Sequence, residues 1–224
     1  TYLDGEAREG AFHGLLLATI AAVLLLVQAG SLLVLVLAFV GVGLGLRQLL
    51  LFYASRPEAR RAATKFSLVW GAGDLSVLAA SIFFWTAYGT ADIAAIDAAA
   101  GAGGLSPAGH AAVGFLVLAA LLKTATLPLH GWLTEVMEAP TPVSALLHAG
   151  IINAGGVLLL RFADPVQASP GAMAALVMVG GLTALFGAVV MLTQSAVKTA
   201  LAWSTVAQMG FMILQCGLGL WALA

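Results

Sequence analysis

Seven long apolar runs make up most of this 224-residue sequence. A helix needs about 20 apolar residues to cross the hydrocarbon core of a bilayer, and each run is about that long or longer. Backbone groups in lipid must be satisfied within the protein, and runs this continuous are typical of helices rather than of barrel strands. The sequence therefore predicts an all-α, polytopic membrane helical bundle, with spans at 11–29, 31–53, 64–89, 109–137, 142–163, 171–193 and 199–224.

Charge and cysteine content limit the functions that this chain can have. Charged residues make up only 8% of the sequence, and the formal net charge is −1. A water-soluble domain of this size needs a more polar surface, and there is no basic stripe that would bind nucleic acid. Cys216 is the single cysteine, so neither an internal disulfide nor a cysteine-ligated metal cluster can form within the chain alone. Without a Walker motif or nucleophile elbow, we expect no catalytic site and no cofactor in this chain.

Lysines and arginines between the runs are unevenly distributed. If the seven spans alternate in direction, one side of the membrane carries most of these residues and the other carries only Arg161. Positive loops remain in the cytoplasm, so residue 1 and the 54–65 loop are expected to be cytoplasmic. The 90–108 loop would face the other compartment. The residues on the cytoplasmic side are Arg8, Arg56, Arg60, Arg61, Lys65 and Lys198.

Lys123 lies inside the fourth apolar run, five residues before Pro128. An ammonium group in hydrocarbon costs roughly 2.5–3.5 kcal/mol on insertion scales, so an intramembrane lysine usually marks an ion or proton pathway. Proline lacks a backbone N–H and clashes with the preceding turn, which predicts a helix break at Pro128. Many transporters place a charge beside a broken helix at mid-membrane depth. This pattern predicts transport.

Three further ionisable residues lie within the spans. Asp74 is either a partner that tunes the proton affinity of Lys123 or Arg47, or a structural ion pair between two helices. A desolvated lysine can release its proton near neutral pH, whereas arginine stays charged, so Arg47 can act only as a fixed charge. His148 is either a proton relay, because imidazole titrates near physiological pH, or a hydrogen-bonded core residue.

Other ionisable residues lie near the ends of spans. His130 follows the predicted break, and Lys198 borders both a polar sequence and a span, so each is a candidate pathway residue or an interfacial one. For Arg161, His13 and His110 the favoured interpretation is a side chain that reaches back to the membrane interface, because that placement costs little.

Residues 121–150, LLKTATLPLHGWLTEVMEAPTPVSALLHAG, closely resemble the antiporter-like subunits of respiratory complex I and of multisubunit cation/proton antiporters. Residues 194–212, QSAVKTALAWSTVAQMGFM, resemble the opening of the second repeat of those proteins. The resemblance implies two inverted five-helix repeats, each with a broken helix. Residues 1–163 would form the first repeat and residues 164–224 the first two helices of the second. The chain begins without methionine and ends inside an apolar run, so we expect a fragment of about half a subunit.

The resemblance also assigns roles to individual residues. It implies that Lys123 is the central proton-carrying lysine, that His148 is the relay histidine, and that Asp74 is the acid of the family's sixth helix. Proton-pumping members usually pair the lysine with a glutamate, and Val40 stands at that position here. Ala196 replaces an acid that often precedes Lys198. These two departures argue against conventional pumping by the complex I scheme.

Residues 45–66 and 127–156 look most like the membrane subunit of DAB complexes, which accumulate dissolved inorganic carbon. That resemblance implies an energy-coupling subunit of the bacterial inner membrane, which conducts protons or another monovalent cation. It also implies a peripheral partner that resembles a zinc carbonic anhydrase, with the zinc in that partner. The alternatives are a proton-translocating subunit of NADH–quinone oxidoreductase or of a sodium/proton antiporter, and a membrane scaffold whose channel is vestigial.

Overall fold

A computed structural model describes residues 5–6, 8–136 and 139–224, and these residues form a bundle of α-helices. Six helical segments within the described residues are long and apolar enough to cross a membrane, and α5 is a shorter apolar helix. The predicted all-α, polytopic membrane bundle is confirmed. The helices are α1 Glu9–Gln28, α2 Leu32–Leu50, α3 Pro57–Tyr88, α4 Ile93–Gly103, α5 Pro107–Lys123, α6 Gly131–Glu135, α7 Thr141–Ala149, α8 Ala154–Arg161, α9 Ala163–Gln167, α10 Pro170–Leu192 and α11 Val197–Gly217.

Two of the predicted spans are interrupted. The fourth run, 109–137, consists of α5, a non-helical connection and the short α6, and its last residue, Met137, lies outside the described residues. The fifth run, 142–163, consists of α7, a single 3-10 turn at Ile151–Asn153 and α8. Apolar length therefore locates the helical segments of these two runs, but it does not report where their backbone leaves the α-helical path.

Two of the predicted loops are mostly helical. Helix α3 begins at Pro57, where a fixed φ suits the first turn of a helix, so Arg60, Arg61 and Lys65 lie on α3 rather than in a loop. The 90–108 segment contains α4, whose N-terminus is capped by the Asp92 carboxylate accepting a hydrogen bond from the Ala95 N–H at 2.8 Å. Residue 1, predicted to be cytoplasmic, lies outside the described residues.

The turn between α1 and α2 is fixed from two directions. Ser31 caps α2 and forms an isolated antiparallel bridge with Asp92. The Arg161 guanidinium, at the end of α8, donates hydrogen bonds to the carbonyl oxygens of Ala29 and Val27. Arg161 thus binds free carbonyls at the end of a neighbouring helix, which is a more specific role than the interfacial placement predicted for it.

Helices α10 and α11 pack so closely that their backbones are in contact. A Cβ atom on Gly180 would lie 2.9 Å from the Gly210 carbonyl oxygen. A Cβ atom on Gly210 would lie 2.8 Å from the Cα of Ala184. Small residues allow this approach, which is how many transmembrane helices associate.

We expect Gly210→Ala to destabilise the α10–α11 pair, because the added methyl group would meet backbone atoms that cannot move aside. Overpacking of this kind typically costs about 1–3 kcal/mol. Gly181→Ala is the matched control, because its Cβ atom would meet only Leu214 Cδ1 at 3.9 Å. Thermal unfolding of the detergent-solubilised full-length subunit would measure both variants. Equal unfolding temperatures for the two variants would contradict the packing described.

Candidate ion-pathway site

Lys123 and Asp74 form an ion pair inside the bundle. Lys123 is the last residue of α5, and its side chain is 0% exposed. Its Nζ donates to Asp74 Oδ1 at 2.6 Å, and the Asp74 side chain, on α3, is 18% exposed. Lys123 and Arg47 were both candidate partners for Asp74, and in the structure the partner is Lys123. A buried charge requires such a partner, because desolvating an isolated ion costs several kcal/mol.

Two aromatic rings complete the surroundings of the lysine ammonium. Lys123 Nζ lies 4.0 Å from the Trp70 ring centroid and 4.4 Å from that of Phe39. The Trp70 indole N–H donates to the Phe39 carbonyl oxygen at 3.3 Å, which orients the indole against the backbone of α2. A desolvated cation–π contact contributes up to about 2 kcal/mol. Sequence analysis missed both rings, although Trp70 precedes Asp74 by four residues and so shares its helix face.

Glycines make room for these side chains. A Cβ atom on Gly73 would lie 3.2 Å from both Cγ and Cε of Lys123. A Cβ atom on Gly43 would lie 2.6 Å from Trp70 Nε1, so α2 approaches the indole only because position 43 has no side chain. Helices α2, α3 and α5 therefore meet around the ammonium at small residues.

The connection that follows Lys123 satisfies the free carbonyls at the end of α5. Thr124 Oγ1 donates to the Ala120 carbonyl oxygen at 2.7 Å, and Thr126 Oγ1 donates to that of Leu121 at 2.9 Å. Pro128 lies in this connection, which joins the end of α5 to the start of α6. The threonines of the sequence KTATLP are thus part of what ends the helix, together with the proline.

A hydrogen bond links the same connection to α10. The Leu127 backbone N–H donates to Thr183 Oγ1 at 3.0 Å, and the Thr183 hydroxyl donates to the Val179 carbonyl oxygen at 2.7 Å. Thr183 is fully buried. Thr183 lies in the middle of an apolar run, and this contact joins residues 56 apart in the sequence. The residues around Thr183 therefore could not predict the contact.

His148 and Lys198 lie together at the contact between α7 and α11. His148 Nδ1 lies 3.0 Å from Thr205 Oγ1, and Lys198, at the start of α11, is close enough to His148 to interact with it electrostatically. Within the described residues, no hydrogen bond or ion pair joins this group directly to Lys123. The candidate proton relay is therefore a second polar group, separate from the ion pair.

His130 lies against aromatic rings of the last two helices. Its ring centroid is 5.0 Å from that of Trp203 and 6.4 Å from that of Phe186. Its Nδ1 is buried and has no hydrogen-bond partner among the described residues. The structure does not bring His130 into contact with Lys123 or His148.

Arg47 and Val40 line a cavity of about 140 Å³ between α2 and α3, and Asp74 lines it as well. Val40, at the position where the resemblance implies a glutamate, is 36% exposed. Among the described residues Arg47 forms no ion pair with Asp74, whose cationic partner is Lys123. Asp74 therefore has a face that is exposed to this cavity, whereas Lys123 does not line it.

Glu135, the last residue of α6, forms ionic contacts that sequence analysis did not predict. It forms an ion pair with Lys65 of α3, and its Oε1 lies 3.6 Å from Arg61 Nε. A cavity of about 310 Å³ beside it is lined by Glu58, Arg61, Thr134 and Glu135. The sequence signal that could have predicted these contacts is an acid near the end of the apolar run 109–137, together with the basic segment that contains Arg61 and Lys65. These contacts hold the short α6 against the start of α3.

The family described as NADH:quinone oxidoreductase/Mrp antiporter, TM, matches residues 29–224. The chain belongs to this family. The family's members include antiporter-like subunits of multisubunit complexes, as the similar proteins below illustrate.

Several relatives are similar along the whole chain. The "Probable inorganic carbon transporter subunit DabB2" of Halothiobacillus neapolitanus is 46% identical over 224 residues, which is 100% of this chain and 41% of that protein. The "Probable inorganic carbon transporter subunit DabB" of Hydrogenovibrio crunogenus is 43% identical and is covered to 43%. The "NADH-quinone oxidoreductase subunit L" of Mycobacterium tuberculosis is 37% identical over 97% of this chain and is covered to 34%. The chain thus spans about two-fifths or less of the length of these relatives.

A solved structure has the same fold. A chain of the Mrp complex from a Dietzia species superimposes with a TM-score of 0.91 and 32% sequence identity. The match covers 97% of this chain and 24% of that one. The antiporter-like membrane fold implied by the resemblance is therefore confirmed.

We expect Asp74→Leu to destabilise the protein by about 3–5 kcal/mol, because it leaves the buried Lys123 ammonium without its carboxylate. Adding Lys123→Met should recover most of this loss, since the double variant removes both charges and keeps apolar volume. Thermal unfolding of the full-length subunit in detergent would measure the two single variants and the double variant. Additive losses in the double variant would contradict a direct ion pair.

We expect Glu135→Gln to weaken the attachment of α6 to α3, at a cost of about 1 kcal/mol, because the ion pair with Lys65 is only partly buried. Glu58→Gln is the matched control, since Glu58 lines the same cavity but forms no ion pair within the described residues. Limited proteolysis between α5 and α7 would report the release of α6. Equal cleavage rates for the two variants would argue against this role of Glu135.

Proposed function

We propose that this chain is part of the energy-coupling membrane subunit of an inorganic-carbon uptake complex, which conducts protons or another monovalent cation through Lys123 and Asp74. The observation that carries the proposal is the fully buried Lys123 ammonium paired with a carboxylate at 2.6 Å, at the end of a broken helix. Intramembrane ionisable residues of this kind mark ion pathways. The identity of 46% to a probable inorganic carbon transporter subunit supports the choice of substrate.

The geometry supplies a way to couple proton movement to structure. With its proton, Lys123 is held by one carboxylate and two ring faces. When the proton leaves, Asp74 keeps its negative charge in a nearly dry site and the ring contacts lose their cation. The pair then favours rearrangement until a proton or another cation returns, because an uncompensated buried charge is costly. We place this rearrangement in residues 124–130, the connection that begins directly after the lysine.

The polar group around His148 is a candidate second station. His148 contacts Thr205 at 3.0 Å and interacts electrostatically with Lys198, so a proton at one of these sites is sensed at the other. His130, whose buried Nδ1 has no partner among the described residues, is the candidate for a contact with water between the stations. In this scheme Arg47 remains a fixed charge beside Asp74.

The remaining features of the proposal concern the whole complex. Residues 1–163 would form the first repeat and residues 164–224 the start of the second. The side that carries Arg56, Arg60 and Arg61 would be cytoplasmic, in a bacterial inner membrane. A peripheral subunit resembling a zinc carbonic anhydrase would bind this membrane subunit and carry the zinc, so that CO2 hydration to bicarbonate takes place outside this chain.

A second candidate function is proton translocation in a respiratory complex or a sodium/proton antiporter. It is favoured by the 37% identity to subunit L of an NADH–quinone oxidoreductase and by the fold of an Mrp complex chain. Val40 argues against it, because the glutamate that pumping members are expected to place there is missing.

We expect Lys123→Ala to abolish accumulation of radiolabelled bicarbonate in cells, because the proton carrier is removed. Lys123→Arg should also fail, since arginine keeps the charge and does not release a proton. Copurification of the peripheral subunit serves as the control for assembly. Normal accumulation by either variant would disprove the proposal. Loss of NADH-driven quinone reduction with normal bicarbonate accumulation would establish the second candidate instead.

A further inference from the structure

A groove lies between α2 and α3 at the end of the bundle where the chain passes from one helix to the other. Its volume is about 420 Å³, and we call it the basic groove because two arginines line it. It adjoins the smaller cavity beside Asp74, since Arg47 and Ser67 line both. The residues lining the basic groove are Arg47, Leu51, Arg60, Ala63, Thr64, Ser67 and Leu68.

The two guanidinium groups of the groove retain unused hydrogen-bond donors. Among the described residues the Arg47 guanidinium has no hydrogen-bond partner, and the Arg60 guanidinium donates only its Nε–H, to the Ala54 carbonyl oxygen at 2.5 Å. The hydroxyls of Thr64 and Ser67 donate to carbonyls of their own helix at 2.9 and 2.7 Å. The arginines are therefore the groups that can bind a ligand here, and their planar donor forks suit a phosphate or carboxylate.

The acid of the adjoining cavity does not cancel the charge of the two arginines. Asp74 is the acid that lines the adjoining cavity, and it is paired with Lys123 at 2.6 Å. The basic groove itself is lined by two cations and by no acid among the described residues. An anion in the groove is therefore attracted to the two guanidinium groups.

Apolar side chains flank the arginines on the same two helices. Leu44 of α2 is 59% exposed and Leu68 of α3 is 70% exposed, so both present apolar surface beside the groove. Arg47 lies in the last turn of α2 and Arg60 in the first turns of α3, which places their charges near the ends of two spanning helices. A ligand that satisfies all of these groups has an anionic head and an apolar tail.

We propose that the basic groove binds an anionic phospholipid, with its phosphate between Arg47 and Arg60 and an acyl chain along Leu44 and Leu68. Basic pockets between transmembrane helices bind anionic headgroups in this way. A free carboxylate or phosphate would satisfy the arginines but leave the two leucines without a partner. The bound acyl chain also lies over the cavity that opens on Asp74, and so excludes bulk water from the exposed side of the ion pair.

The test uses the full-length subunit in its complex, stripped of lipid and then reloaded with phosphatidylglycerol or phosphatidylcholine of the same acyl chains. Native mass spectrometry counts the bound lipids. Arg47→Gln and Arg60→Gln should each weaken binding of phosphatidylglycerol roughly fivefold, given about 1 kcal/mol for each arginine near the surface. Arg56→Gln is the matched control, because Arg56 stacks on Tyr53 at 4.9 Å and does not line the groove.

Selective retention of phosphatidylglycerol that is lost in Arg47→Gln and Arg60→Gln, but not in Arg56→Gln, supports the proposal. Unchanged size-exclusion profiles establish that the variants remain folded. An equal loss in Arg56→Gln overturns the proposal, because it would indicate attraction to net charge alone. Equal binding of the two lipids, displacement of the lipid by millimolar inorganic phosphate, or binding to the isolated subunit but not to the complex would also overturn it. The last result would mean that protein covers this face.

Discussion

The buried ion pair between Lys123 and Asp74 sets the conditions that the surrounding helices must meet. An ammonium group without contact to solvent needs a carboxylate within hydrogen-bond distance, and the two residues are 49 positions apart in the sequence. Helices α3 and α5 must therefore pack closely and in one register. Gly73 allows this approach, and the rings of Phe39 and Trp70 replace part of the lost hydration of the ammonium. The packing of α2, α3 and α5 thus compensates the buried charge of Lys123.

Much of the fold follows from local properties of the sequence. The length of the apolar runs predicts the spans, because the thickness of a bilayer leaves few alternatives, and Pro128 marks the interrupted helix. Helix α4 was missed, since its second half consists of alanine and glycine and resembles a linker as much as a helix. The partner of Asp74 could not be chosen from sequence, because Arg47 and Lys123 both lie at spacings that local reasoning cannot rank. Thr183 and Thr205 contact Leu127 and His148 from positions 56 and 57 residues away, and nothing local distinguishes them from other threonines in apolar runs.

The absence of a glutamate at position 40 changes the character of the site. With Val40 at this position, Asp74 is the carboxylate that contacts Lys123 among the described residues. The neighbouring residue Phe39 contacts the ammonium with its ring. A lysine with a single counter-ion has one route by which its charge can be compensated inside the protein. Such a site responds to the state of one carboxylate, and that carboxylate faces a cavity that Lys123 does not reach. In the function that we propose, this arrangement makes Asp74 the residue through which an ion in the cavity affects Lys123.

The hydrogen bond from the Leu127 N–H to Thr183 joins the interrupted helix to α10, which lies beyond residue 163. Thr183 is fully buried, so its hydroxyl has no contact with solvent, and the Leu127 N–H would lose this acceptor if the connection after Lys123 moved. A shift of the connection must either carry α10 with it or leave a backbone donor unsatisfied. A movement of this connection would therefore reach α11 as well as α10, because α10 and α11 are in backbone contact.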